Sequence, residues 1–301
     1  MTSNLTNKVK ASIERIKAFE PEEGYYLAFS GGKDSVVCKA LLDMAGVKYD
    51  AHYRVTSVDP PELVRFIREK HPDVERDIPR YSDGKPITMW NLIPRKLMPP
   101  TRLVRYCCSS LKESGGDGRF VVTGVRWAES TNRRDNHGTV TLANASSKNE
   151  IKDRENFRIA KHGGLVLTND NEESRRMIEQ CYKRHKTTLN PIVEWSDRDV
   201  WEFIRGEGVP YCDLYDNGFH RLGCVGCPLA GTKDREREFA IWPKYKAAYL
   251  KAFDRMLKER ERRGKMHGEM RMGDTPQSVF NWWMNYDILP GQMDLFEEET
   301  D

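Results

Sequence analysis

The sequence predicts an α/β fold built on a parallel sheet, and three observations carry the prediction. Residues 26–29 form a short apolar run that passes through a glycine pair, Gly31 and Gly32, directly into a helical pattern over residues 35–45. Strand and helix patterns then alternate as far as Gly124, the order expected of βαβ units. The residues between them, Gly46 after one helix and Pro60 and Pro61 before the next, are of the kind that stop and start helices.

Taken in order, Leu5, Val9, Ile13 and Ile16 make a helical stripe ahead of the first strand. After the loop helix, residues 47–55 alternate as a strand through Val47, Tyr49, Ala51, Tyr53 and Val55. The helix after the two prolines carries Leu63, Val64, Phe66 and Ile67, residues 72–100 read as loop with one short helix, and residues 120–123 form a buried strand ending at Gly124. Residues 135–188 break the pattern as an inserted α+β segment, with short apolar alternations at Val140 and Leu142, Phe157 and Ile159, and residues 165–167, then a helical stretch over 171–185. This insertion either shapes a substrate entrance or is a solvated decoration. Residues 190–193 read as a further strand. Ser196 and Asp199 form a capping box for a helix bearing Val200, Trp201 and Ile204 and closed by Gly206. A long basic amphipathic helix is expected over residues 233–263, with Tyr245, Tyr249, Phe253 and Met256 as its core stripe or a partner surface. The organisation is thus a domain over 1–232 and a C-terminal helical extension with an acidic tail over 233–301.

Composition narrows the class. With 301 residues the chain can bury a full core; a net charge of +3 with 32% charged residues does not demand a nucleic-acid partner. No apolar run approaches membrane-spanning length, and the first residues lack the basic-then-apolar pattern of a signal peptide, so the expected location is cytoplasmic, without a membrane partner. Seven cysteines in such a compartment point to metal or redox chemistry rather than a disulfide framework.

The most informative stretch is Ser30-Gly31-Gly32-Lys33-Asp34-Ser35. Glycines let the backbone turn tightly and approach a ligand, and the helix that follows presents unpaired N–H groups at its positive end. Together they make an anion cradle to which Ser30, Ser35 and Lys33 add hydroxyls and a charge. Asp34 is unusual beside a phosphate; it makes sense as a helix cap or as a Mg²⁺ ligand. The stretch fits neither the Walker nor the dinucleotide spacing. It resembles the PP-loop of ATP pyrophosphatases.

Cys224-x-x-Cys227-Pro is a strong metal-ligand spacing, and Cys107 and Cys108 supply a second pair. Four sulfurs suffice for a 4Fe–4S cluster or a tetrahedral zinc, although adjacent cysteines suit a multi-iron cluster better; a redox dithiol or inert cysteines are the other readings. Cys212 is a candidate to replace one of them; Cys38 and Cys181 read as ordinary core or helix residues.

The motifs then combine in one order: the PP-loop, Cys107-Cys108-x-x-Leu-Lys, Gly124-x-Arg126-x-x-Glu129-Ser130-x-x-Arg133, Asn190-Pro-Ile-x-x-Trp-x-x-x-Asp-Val-Trp and Gly-Cys224-x-x-Cys227-Pro. That order resembles the phosphoadenosine phosphosulfate (PAPS) reductase family over roughly residues 20–232. The resemblance implies a HUP-type fold (adenine nucleotide alpha hydrolase-like), an adenine nucleotide in the PP-loop pocket and a 4Fe–4S cluster on Cys107, Cys108, Cys224 and Cys227. Lys33, Asp34 and Arg126 would be catalytic. Ser30, Gly31, Gly32, Lys33, Asp34, Ser35, Asp59, Gly124, Arg126, Glu129 and Arg133 would bind the nucleotide, with Asp34 and Asp59 placing Mg²⁺. Arg126 and Arg133 would meet an anionic substrate or the phosphates; otherwise they pair with Glu129 at the surface.

One departure shapes the functional expectation. Sulfonucleotide reductases of this family carry a nucleophilic cysteine in a C-terminal Glu-Cys-Gly-x-His segment, and no cysteine follows Cys227 here. The expected nucleotide is therefore ATP rather than PAPS or adenylyl sulfate (APS). The reaction would be adenylation of a substrate with pyrophosphate release for sulfur transfer to an anionic small molecule or nucleic acid. The rivals are a reductase drawing its thiol from a partner such as thioredoxin, and a nucleotide-binding docking module with a structural cluster; a sulfur-donor protein is a further expected partner. Gln292-Met293-Asp294-Leu295-Phe296 resembles the peptide by which DNA-processing proteins dock on a sliding clamp, or packs on this protein's own surface.

Overall fold

The computed structural model describes residues 1–143, 156–162, 164–168, 178, 186–265 and 272–285. The expected helix over 171–185, apart from residue 178, and the peptide at 292–296 lie outside them. The chain divides into two compact units, one of residues 1–55, 61–79 and 112–223, the other of residues 56–60, 80–111 and 224 onward.

The first unit is the α/β fold expected from the sequence. Helix α1 (Ser3–Ala18) precedes β1 (Tyr25–Ala28), α2 (Lys33–Ala45), β2 (Tyr49–Arg54), α3 (Pro61–Lys70) and β3 (Glu75–Asp77). After residue 112 come β4 (Phe120–Val122), a 3₁₀ turn (Trp127–Glu129), and a short helix, Thr131–Asn136. Strands β5 (Val140–Ala143), β6 (Phe157–Ile159), β7 (Leu165–Leu167) and β8 (Lys186–Leu189) follow, then a helix Asp197–Glu207. The strand order is β3-β2-β1-β4-β8-β5-β7-β6. The first five are parallel; β5, β7 and β6 continue the sheet antiparallel. The apolar alternations read in the insertion are these three strands, and their register (Leu142 opposite Thr187 and Leu165) welds them to β8. Leu27, Phe120, Val122, Leu189 and Tyr25 are buried, as expected of strands covered on both faces. The crossover from β1 runs to β2 on one side, while β4 lies on the other. The chain thus changes direction between β1 and β4, the switch point at which ligands bind in such sheets.

Two local readings of this unit are corrected. Residues 190–193 are a buried turn rather than a strand: Pro191 has no N–H for a ladder, the Val193 and Trp195 amides donate to the Asn190 and Ile192 carbonyls at 3.2 and 2.9 Å, and the strand lies earlier, at β8. The helix begun by Ser196 runs past Gly206 and ends at Gly208, which takes the left-handed conformation with φ 64°.

The second unit is helical. It contains the short helices Met89–Lys96 and Tyr106–Leu111, and then Thr232–Ile241, Pro243–Arg262 and Pro276–Trp283. The single long helix expected over 233–263 is two, because Pro243 cannot donate an amide to the preceding turn and biases Trp242 away from helical geometry (φ −120°, ψ 68°). Tyr249, Phe253 and Met256 are buried, so the stripe is core. Tyr249, Phe253 and Phe239 pack with Phe280 and Trp283 at ring-centroid distances of 4.7 to 6.2 Å. Among the described residues no helix is long and apolar enough to cross a membrane.

Candidate functional site

The loop after β1 is shaped by its own hydrogen bonds. The Gly32 amide donates to Ser30 Oγ at 3.4 Å, and Ser35 Oγ donates to the Gly32 carbonyl at 2.8 Å. Gly31 sits at φ 73°, where a Cβ would also lie 2.8 Å from side-chain carbons of Leu63 and Ile67 on α3, so glycine is required for both conformation and space. Gly32 is the N-cap of α2 and brings no side-chain cap, which leaves the helix start to other acceptors.

Lys33 opens α2 and is 7% exposed. Its amide donates to the Tyr215 hydroxyl at 2.9 Å; its ammonium donates to the His220 carbonyl at 3.2 Å and lies 3.3 Å from Asp197 Oδ1. Asp34 faces the loop after β4. Its Oδ1 accepts from Arg126 Nε at 2.7 Å. Burial nevertheless pushes its carboxyl above the usual range, against the pull of Arg126 and Lys33. Arg126 is 2% exposed and also donates to the Trp195 carbonyl at 3.3 Å and to Asp197 Oδ1 at 2.8 Å. Burial works against its charge, but Asp34 and Asp197 outweigh it and hold its pKa above the ordinary value. At Gly124 a Cβ would lie 2.8 Å from Asp34 Cβ, so the two loops touch where only glycine fits.

The switch point thus brings together Ser30, Gly31, Gly32, Lys33, Asp34, Ser35, Gly124 and Arg126. Glu129 and Arg133 form a separate ion pair at 2.6 Å, tied back by the Arg126 amide, which donates to Glu129 Oε2 at 3.3 Å. Asp59 belongs to the second unit, where its carboxylate lies 3.8 Å from Cys224 Sγ and its carbonyl accepts from the Tyr245 hydroxyl at 2.7 Å. Asp197, Tyr215 and His220 were not foreseen. The sequence signal at residue 197 was its place beside a capping serine, which marks a helix start and nothing more; residues 215 and 220 carry no local signal.

The second unit holds the four candidate metal ligands. Cys107 and Cys108 lie on the helix Tyr106–Leu111, and Cys224 and Cys227 on a turn closed by the Cys227 amide donating to the Cys224 carbonyl at 3.1 Å. Within that turn Gly226 has φ 73°, and a Cβ there would meet Phe239 at 2.6 Å. The Cys107 thiol is pushed well up by its hydrogen bond with Cys108, by burial, and by the thiols of Cys108, Cys224 and Cys227. Tyr249 is raised by burial and then by Cys224, Cys107 and Cys227. A thiol whose ionisation is opposed by three neighbouring thiols sits in a donor set that a soft cation would stabilise. Among the described residues the metal-type group whose ligand atoms lie within 4.8 Å of one another is His52, Glu75 and Asp77. Cys212, by contrast, is buried in the first unit at the turn where its carbonyl accepts from the Tyr215 amide at 3.1 Å.

Residues 24–230 match the family described as phosphoadenosine phosphosulfate reductase domain. An uncharacterised protein of Methanocaldococcus jannaschii is 24% identical over 261 residues, covering 80% of this chain and 44% of that protein. Adenosine 5'-phosphosulfate reductase of Allochromatium vinosum is 37% identical over 54 residues (18% of this chain, 21% of that one). The enzyme of that name from Neisseria meningitidis serogroup A is 53% identical over 47 residues (15% and 19%). The chain spans less than half the length of these curated relatives. Among solved structures, the phosphate complex of phosphoadenylyl-sulfate (PAPS) reductase from Candida auris aligns with a TM-score of 0.41 at 13% identity, over 74% of this chain and 96% of that one.

Proposed function

This chain belongs to the phosphoadenosine phosphosulfate reductase domain family, and from that premise we propose an adenine-nucleotide enzyme of sulfur metabolism that activates its substrate with ATP at residues 30–35. The observation that carries the reading is the pairing of two buried cations, Lys33 and Arg126, at the start of α2, where a polyphosphate's charge would be met by the helix dipole and by charge-assisted hydrogen bonds. In the reaction an acceptor oxygen attacks the α-phosphorus of MgATP, the bond to the bridging oxygen breaks, pyrophosphate leaves, and any proton on the acceptor passes to solvent; a sulfur nucleophile from a sulfur donor then bonds to the activated atom as that atom's bond to the adenylate oxygen breaks and AMP leaves. Lys33 and the loop amides would hold the leaving pyrophosphate, and Arg126 the charge developing on the α-phosphoryl group. Mg²⁺ would arrive with the nucleotide, with Asp34 the carboxylate inside the loop. A 4Fe–4S cluster on Cys107, Cys108, Cys224 and Cys227 would supply electron-transfer or sulfide chemistry. The acceptor is an anionic small molecule or a nucleic acid, and docking of residues 292–296 on a sliding clamp would direct the enzyme to DNA.

The test is release of AMP and pyrophosphate from MgATP across candidate acceptors. Lys33→Ala should lower turnover by about 10²–10³-fold, the scale of losing one preorganised contact to transition-state charge. Tight ATP binding with no AMP from any acceptor would overturn the reading. A second reading, reduction of a sulfonucleotide by an external thiol, is favoured by the short segments shared with adenosine 5'-phosphosulfate reductases. In that reading a donor such as thioredoxin would supply the thiol. Sulfite formed anaerobically from PAPS or APS with reduced thioredoxin would decide for it.

A further inference from the structure

Lys33, the cation of the loop at residues 30–35, is already engaged by the protein's own oxygens. Asp197 Oδ1 lies 2.8 Å from Arg126 Nη2 and 3.3 Å from Lys33 Nζ, so one carboxylate oxygen bridges the two buried cations. The Asp197 side chain is itself 63% exposed; it reaches the cations from the surface and contributes little packing. The Tyr215 hydroxyl accepts from the Lys33 amide, and the His220 carbonyl from its ammonium. Both nitrogens of Lys33 are therefore engaged by oxygens of residues 197–220. Asp197 is also dispensable for starting its helix, because Ser196 and Asp199 complete the capping box between themselves.

We propose that Asp197 is an internal anion that stands in for a phosphate oxygen, and that nucleotide binds by exchanging its phosphates for this carboxylate. The inference rests on reading residues 30–35 as the nucleotide's phosphate site. Its consequence is selectivity. Any incoming anion must break two charge-assisted contacts before making its own. A polyphosphate with several negative charges can repay that loss, whereas a singly phosphorylated ligand repays it poorly. Asp197 thus sets the gap between polyphosphate and monophosphate affinity, a role for a specificity-determining residue rather than a catalytic one.

The experiment is calorimetric titration of MgATP, inorganic pyrophosphate and AMP into the full chain, its Asp197→Asn and Asp197→Ala variants, and Glu14→Gln, an exposed change of equal charge on α1. Both Asp197 variants should bind ATP and pyrophosphate about ten- to a hundredfold tighter, the worth of one released contact to a charged group. The ratio of ATP to AMP affinity should narrow, while Glu14→Gln should match the parent. Unchanged or weaker ATP and pyrophosphate binding in the Asp197 variants would overturn the proposal, and weakening that appears only with Mg²⁺ would reassign Asp197 to the metal. If the parent binds neither ATP nor pyrophosphate, the nucleotide reading fails. In that case pyrophosphate binding gained by the Asp197 variants would still uphold the internal anion, and its continued absence would overturn that too.

Discussion

Gly124 shows how little room the site leaves at the scale of a single residue. An added Cβ would lie 2.8 Å from Asp34 Cβ and 3.0 Å from its carbonyl carbon, and that backbone is the first turn of α2. Gly124→Ala should displace the loop, costing about 1–3 kcal/mol in an equilibrium denaturation series and weakening ATP binding at least ~10-fold; full retention of both would show that the loops can separate without loss. Gly31 fails for a second reason as well, since its left-handed φ of 73° is costly for any L side chain. The glycines were legible because a strand, a Gly-Gly pair and a helix are contiguous. Arg126 was legible only through the spacing of a motif, and its burial against Asp34, Trp195 and Asp197 was not, since those partners come from two other parts of the chain.

Among the elements, the helix Asp197–Glu207 has a start capped in both directions. Asp199 accepts from the Ser196 amide at 2.8 Å, Ser196 Oγ accepts from the Asp199 amide at 3.2 Å, and Lys8 on α1 pairs with Asp199 at 2.7 Å. Burial acts to raise the Asp199 carboxyl, but Lys8 and Ser196 outweigh it and hold it below the ordinary value. A depressed folded-state carboxyl contributes stability that is present above the unfolded pKa of ~3.9 and is lost as pH falls through the folded value. Ser196→Ala should cost about 1 kcal/mol at neutral pH. The stability difference between the parent and Asp199→Asn should shrink as urea melts are repeated from pH 6 down to pH 3; a difference constant with pH would remove the ionic part of the account. Elements were misread where proline decided the outcome. Pro191 turned an apolar run into a buried turn, and Pro243 split a helix whose periodicity continues across it. Hydrophobic spacing survives a proline, whereas the amide hydrogen bond does not.

For the whole molecule, the chain passes repeatedly between two units, so that Cys107 and Cys108 share one unit with Cys224 and Cys227 although a long stretch of the first unit separates them in sequence. Anaerobic purification should yield about four iron atoms and about four acid-labile sulfides per chain, with a sulfur-to-iron absorbance band, and Cys227→Ala should lower both. An iron-free, zinc-loaded protein would replace the cluster with a different metal. Membership of the family, the parallel α/β class, the loop of residues 30–35 and the two cysteine pairs could all be read from contiguous motifs, because turn chemistry, helix starts and thiol spacing are encoded by neighbours in sequence. The strand order β3-β2-β1-β4-β8 decided the rest. It carried residue 126 to the helix that begins at Lys33, and with it Asp197 and Tyr215 from more distant segments. Which residues face the cradle depends on long-range pairing between strands and on the helices packed over them, and no local pattern specifies that pairing.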